Sequence, residues 1–437
     1  MKLLIVSNLY PPYYRGGYEL HCAWVASGLA RRGHDVAVLT STYGLREAES
    51  KHGRTDHMDD VRVYRKLGQY AYVDSQRPRR PWTFWQARAE LADVRTFRAL
   101  LALDRPDAVY WWSMNGLSKT LLPVPATLGL PDVHCLDDLW MVLEFGLHGE
   151  LAGAFWRRLW DGEWGPAFAR PLLRGFGAAW EQRVLREGIS SRELIHRPSH
   201  VVFQSKYMEQ HYRDAGFRFP SSEVIYGGVK VEDFLAPRVA GDQDGPLRVL
   251  YAGQLSRDRG AHTAIDAVAA LAARLRGRIT LTVVGSGDPV YTRELQDAVN
   301  KHALQDVVSF RGKVPHAEMP QVYRTHDVLV FTSMRPEGQG FTMVEAMLAG
   351  CAVLTTGSGG AMDVAQIAQL PMFAPGNASE LARMLARLVG DRSELREIAA
   401  RGQRISRDEF DAELMITRQE SMLARLTARH AANTPAN

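Results

Sequence analysis

One pattern opens this chain and opens again past its middle, and it leaves few folds to choose from. Leu3-Leu4-Ile5-Val6 is an unbroken apolar run, as a strand needs when both of its faces are covered in a parallel sheet. A loop with prolines and glycines, Ser7 to Gly17, follows. Tyr18, Cys22, Val25 and Leu29 then recur at helical spacing, and Gly33 stands where a helix C-cap would be. Val36 to Leu39 is the next strand. The unit starts afresh at Arg248 to Tyr251, with the loop Gly253 to Gly260 and a helix carrying Ala264, Ala267, Val268 and Leu271. Ile279 to Val284, Val328 to Phe331 and Ala352 to Thr355 are further strands, with a helix from Phe341 to Leu348 between the last two. Strands alternating with helices predict an α/β protein of doubly wound parallel sheets.

The chain has 437 residues, which suits two domains better than one. The expected division is a first domain over 1–236, a linker rich in Gly, Asp and Pro over 237–246, and a second domain over 247–404. A helical segment over 405–427 and a tail over 428–437 follow. With 46% apolar and 23% charged residues the chain is globular rather than disordered. Its 53 basic and 49 acidic residues leave +4, too small an excess to argue for nucleic acid as a partner. Cys22, Cys135 and Cys351 are far apart and odd in number, which fits a reducing compartment, and the expected location is cytoplasmic. The apolar run at the start is too short for a signal peptide, and no stretch reaches the length of a membrane span.

Ligands of open parallel sheets bind beyond the carboxyl ends of the strands. The loops to watch are therefore 7–17, 253–260, 285–288 and 332–340. The last leads into Arg335-Pro-Glu-Gly-Gln-Gly-Phe-Thr-Met-Val-Glu345. Gly338 and Gly340 permit close backbone approach, and the helix N-terminus near Phe341 offers unpaired N–H groups to a phosphate. Phe341, Val344 and Leu348 form an apolar stripe with Glu345 beside it, where a carboxylate needs hydrogen-bond donors such as sugar hydroxyls.

Glu337 and Glu345 together resemble the E-x7-E motif of retaining glycosyltransferase family 4, whose fold is GT-B: two Rossmann-like domains facing a central cleft, with a C-terminal helix crossing back to the first domain. Tyr251 to Gly260 resembles that family's phosphate loop, Thr282 to Gly287 its strand ending in G-x-G, Phe310 to Val314 its F-x-G-x-V, and Gly359-Gly360 its later glycine pair. The resemblance is tightest over 247–364. In the first half, Tyr10 to Glu19 resembles the loop P-x-x-x-G-G-x-E.

The resemblance implies roles. Glu337 contacts the donor sugar and Glu345 the ribose. The backbone of Gly340, Phe341 and Thr342 holds the diphosphate, Gly338 and Gln339 are further donor-binding residues, and Val314 packs on the base. Arg259 neutralises the departing diphosphate, so Glu337 and Arg259 are the expected catalytic pair. Chemistry supports Arg259 on its own account, because a preorganised cation lowers the barrier to a leaving anion. Gln254 occupies a donor-binding position where the family usually carries arginine, and Arg257 is at hand to compensate. Gly16 and Gly17 approach the donor from the first domain. Asp137 replaces the family's histidine and is followed by Asp138; with Arg15 these are the candidate acceptor residues. His134 is better read as a strand histidine with a structural partner.

The expected enzyme moves a sugar from a nucleotide-diphosphate sugar to an acceptor hydroxyl with no metal and no cofactor. The acceptor is a glycan, a lipid-linked molecule or a small molecule. A catalytically silent nucleotide-sugar-binding module and a GT-B epimerase are the alternatives. Phe155 to Arg183 mixes Trp156, Trp160, Trp164 and Trp180 with arginines, and Arg77 to Trp85 is a second basic aromatic patch. Packing or an acceptor pocket is the favoured reading of the longer stretch, weak peripheral contact with a membrane the other.

Overall fold

The computed structural model describes residues 1–14, 16–47, 49, 53–68, 83–145, 168, 171–172, 175, 198–234 and 245–433. The chain forms two compact units. The first comprises Met1–Phe203, Glu209–Ile225 and Ile416–Asn437, and the second Gln204–Met208 and Tyr226–Met415.

In the first unit eight strands make one sheet: β1 (Lys2–Val6), β2 (Asp35–Ser41), β3 (Arg54–Met58), β4 (Val61–Leu67), β5 (Ala108–Trp111), β6 (Asp132–Leu136), β7 (His200–Phe203) and β8 (Ser222–Val224). Their order is β3-β4-β2-β1-β5-β6-β7-β8. All neighbours run parallel except β3 and β4. The inner strands are buried residue after residue, which is why they read as apolar runs and not as alternation. The β3 edge strand, Arg-Thr-Asp-His-Met, carries no such signal.

The helix Ala412–Asn433 brings the chain back into this unit from Ile416 onward. The buried Tyr110 hydroxyl donates to Gln419 Oε1 at 2.8 Å. Glu420 takes Arg32 at 2.8 Å and His34 at 2.7 Å, and the bond from Arg32 leads in holding its carboxyl below the usual range. The helical pattern expected over 405–427 is in fact two helices. Arg392–Glu409 stops at Phe410, and Ala412–Asn433 runs on into residues expected as tail.

The second unit holds a five-stranded, fully parallel sheet of β9 (Leu247–Ala252), β10 (Ile279–Val284), β11 (Val308–Gly312), β12 (Val328–Phe331) and β13 (Ala352–Thr355). Their order is β11-β10-β9-β12-β13. Leu281, Val283, Val328 and Val330 pack on one set of helices, and Leu250, Leu329 and Val353 on another. The strand order reverses on either side of β9, so the loops after β9 and β12 flank the topological switch point, where such sheets bind ligands. Among the described residues no helix is long and apolar enough to cross a membrane, and the three cysteines are buried and not joined in a disulfide. Arg77–Trp82 and nearly all of the Trp/Arg stretch over 155–183 lie outside the described residues, as does most of the expected linker.

Candidate functional site

The second unit builds its site from the two switch-point loops. The loop after β9 ends in a short 3-10 turn, Arg257–Arg259, and the loop after β12 carries Glu337. Thr332 Oγ1 donates to the Arg259 carbonyl at 3.1 Å, and the Met334 N–H donates to the Asp258 carbonyl at 2.8 Å, so the loops are stitched together before their side chains meet. Burial works against ionisation of Asp258, but the Ser256 hydroxyl and then Arg335 hold its carboxyl below the usual range.

The expected pair is in contact: Arg259 Nη1 is ion-paired with Glu337 Oε1. Ser333 Oγ donates to the same oxygen at 2.5 Å, and Arg335 Nε lies 3.7 Å from it. All three contacts fall on Oε1, so Oε2 is committed to none of them. The Glu337 side chain is only 10% exposed and that of Arg259 25%. The Arg259 Nε–H is buried with no hydrogen-bond partner among the described residues, a spare donor beside a buried carboxylate. Arg257, expected to stand in for the missing loop arginine at the exposed Gln254, is used elsewhere: it pairs with Glu294 and lies 5.6 Å from the Tyr291 ring centroid.

Glu337 is fixed through its backbone. Its N–H donates to the Ser358 carbonyl at 3.2 Å, and its carbonyl accepts from the Gly360 N–H at 2.7 Å. Only glycine fits at 360, because a Cβ there would sit 1.6 Å from the Gly338 carbonyl oxygen. Gly340, with φ +89°, turns the chain into the helix Phe341–Leu348, a conformation that other residues adopt at a cost. The dipole of that helix favours an anion at this end, where the Met343 N–H already donates to the Gly340 carbonyl at 2.9 Å. The helix is buried nearly all round, with Met343, Val344, Ala346 and Met347 at 0% exposure, and has no single stripe. The Gln339 side chain is spent internally: its amide accepts from the Gly227 N–H at 2.6 Å and donates to the Gly227 carbonyl at 2.9 Å. A donor contact from Gln339 therefore falls to its backbone.

Glu345 finds its donors within the chain. Tyr323 Oη donates to Oε2 at 2.8 Å, and His316 Nε2 lies 3.0 Å from Oε1. The bond to Glu345 raises the His316 imidazole above the ordinary histidine value, against a desolvation that acts to lower it. Burial, and then the Glu345 charge, keep the Tyr323 hydroxyl protonated. Neither residue carries a sequence signal, being 29 and 22 positions from the carboxylate. Val314, two residues before His316, is half-buried against the helix-side core.

In the first unit Gly16 is the N-cap of the helix Gly17–Arg31, and its N–H donates to Glu19 Oε2 at 2.9 Å. Arg65, 1% exposed, braces the same loop by donating to the carbonyls of Tyr10, at 3.0 Å, and Pro11. Arg15 lies outside the described residues. Asp137 and Asp138 follow β6. Asn115 Nδ2 donates to Asp138 Oδ2 at 2.7 Å, and the Trp140 N–H to Oδ1 at 3.3 Å. Desolvation pushes the Asp138 carboxyl up to about 7, although part of its surface still meets solvent. His134 is fully buried on β6 beside Asp132, 3.3 Å away, and stacked on Trp111. That is the structural partnership expected of it.

Residues 15–233 match the family model described as Glycosyltransferase Family 4, and residues 235–405 the model described as Glycosyl transferases group 1. Glycogen synthase of Mycobacterium tuberculosis is 26% identical over 95% of this chain and 93% of its own length. The 2-deoxystreptamine glucosyltransferase of Streptomyces kanamyceticus is 34% identical over 38% of this chain and 43% of its own. The crystal structure of Anabaena HepE in complex with UDP and glucose aligns over 97% of this chain and 100% of that one, with TM-score 0.64 and 21% identity. Sucrose-phosphate synthase of Thermosynechococcus elongatus aligns over 98% and 99%, with TM-score 0.69 and 18% identity. The shared fold is GT-B.

Proposed function

This chain belongs to glycosyltransferase family 4, and on that premise we propose that it is a retaining, metal-independent enzyme using a nucleotide-diphosphate sugar. The observation that carries the reading is the Arg259–Glu337 pair, set between the switch-point loops and followed directly by the N-terminus of the helix Phe341–Leu348. A cation with a spare buried N–H and a helix N-terminus suit a diphosphate. The carboxylate beside them suits a sugar carbon that becomes positive as its bond to phosphate lengthens. Glu345 takes the ribose hydroxyls and Val314 packs on the base. The acceptor meets the loops after β1 and β6, with Asp137, Asp138 and Arg15 as its candidate contacts.

The reaction is a displacement on one face of the sugar. The anomeric carbon–phosphate oxygen bond breaks, the bond to the acceptor oxygen forms on the same side, and the leaving phosphate oxygen takes the acceptor proton. No protein base is needed. The HepE structures, solved with UDP and with UDP-glucose, make a UDP-sugar the first donor to try.

A thermal-shift screen with UDP, GDP, ADP and dTDP and their sugars tests the donor site. A ligand at 100 times its dissociation constant should stabilise the protein by about 2.7 kcal/mol; no shift with any of them would remove the donor reading. Metal independence has its own test. Arg259 and the helix N-terminus neutralise the diphosphate without a cation, so activity should survive EDTA. Complete loss, restored by manganese, would move the diphosphate to a metal held at Asp137 and Asp138.

A further inference from the structure

Glu345 poses an electrostatic problem. A buried carboxylate that receives the ribose stands in the same site as an anionic diphosphate, and like charges at close range weaken binding. Tyr323 satisfies one of its oxygens without offsetting its charge. His316 contacts the other oxygen at 3.0 Å, and its side chain is 39% exposed, open enough to exchange protons with solvent.

We propose that His316 is the counter-charge of Glu345, a positioning residue whose imidazolium makes the ribose carboxylate compatible with an anionic nucleotide and ties donor affinity to pH. The inference rests on the reading of Glu345 as the ribose ligand. The groups that face the imidazole are Glu345 on the helix Phe341–Leu348 and Asp233 on the 3-10 turn Val231–Phe234. Both are acidic, and both favour the protonated ring. Its titration therefore lies above the ordinary histidine range, with the charge present below it and lost as pH rises through it. Neutral histidine still has a ring N–H for Glu345, so what changes with pH is the charge and not the contact. The donor's diphosphate is esterified at both ends and stays fully ionised throughout this range, so the diphosphate contributes no titration of its own.

The test is calorimetric affinity between pH 6 and 9 for UDP-glucose, or for whichever GDP, ADP or dTDP sugar the thermal screen selects. Wild type should bind about fivefold more weakly at the alkaline end, the size of a partly exposed charge pair, and the difference should shrink in high salt. His316→Gln should bind weakly with no pH dependence. His316→Lys, charged throughout, should bind tightly with none. A merely structural histidine would not separate glutamine from lysine in this way. The inference is overturned if His316→Gln keeps the wild-type slope, or if His316→Lys binds as poorly as His316→Gln. Glu345→Gln separates the two levels. If it binds as well as wild type, the ribose reading itself fails and takes the inference with it. If it binds poorly while His316→Gln is unaffected, only the inference falls.

Discussion

Glu337→Gln should lower turnover by about two to three orders of magnitude while nucleotide affinity stays within about threefold. The substitution is isosteric, and the backbone bonds to Ser358 and Gly360 that fix the residue do not involve the carboxylate. What is lost is the negative charge that the proposed mechanism sets against the anomeric centre, which matters only as positive charge develops there. Any change in affinity should be toward tighter binding, because Arg259 loses its ion-pair partner and becomes available to the diphosphate. Steady-state kinetics alongside calorimetry with free nucleotide measure both quantities. Unchanged turnover would sink the proposed site.

Arg259→Ala should be nearly as damaging, with kcat/KM falling by about a hundredfold or more, and here affinity for the nucleotide should fall too. Arg259→Lys should recover only part of the loss, since an ammonium cannot reproduce two-pronged contact with phosphate. Arg257→Ala is the control. Its guanidinium is 68% exposed and turned to Glu294, so its removal should change kcat/KM by no more than about threefold. An Arg257 variant as impaired as the Arg259 variant would show that the loop's charge, and not the placement of one side chain, supports the reaction.

The contrast between these two arginines shows where the sequence is informative and where it stops. Alternating strands and helices made both parallel sheets legible, because a strand covered on two faces must be apolar throughout. The turn after β12 was legible for a related reason: a glycine between a buried strand and a helix marks a backbone that other residues adopt at a cost, as Gly340 does at φ +89°. Arg257 and Arg259, by contrast, sit two positions apart in one loop, and only the 3-10 turn that carries them sends one to Glu294 and the other to Glu337. The partners of Glu345 come from segments more than twenty positions away, so local spacing cannot reveal them. The side chain of Gln339 is a clamp on Gly227, which local spacing could not reveal, since an amide can imitate a peptide group wherever the fold places one opposite. The β3–β4 hairpin escaped notice because a polar edge strand lacks the apolar signature of its neighbours.

The return of the chain to the first unit through Ile416–Asn437 bears on how the protein is made. Its two units are completed in an order opposite to that in which their first residues leave the ribosome. The second unit draws only on residues from 204 to 415, so every part of it has emerged while the first still lacks the helix that presents Gln419 to Tyr110 and Glu420 to Arg32. At roughly 5–20 residues per second, the eight-stranded sheet waits on the order of ten to forty seconds between the emergence of β8 and that of its last helix. During that interval Tyr110, a residue buried in the finished unit, has no Gln419 to bond to. A released chain truncated after Met415 should therefore resist protease over its second unit and be cut readily in its first.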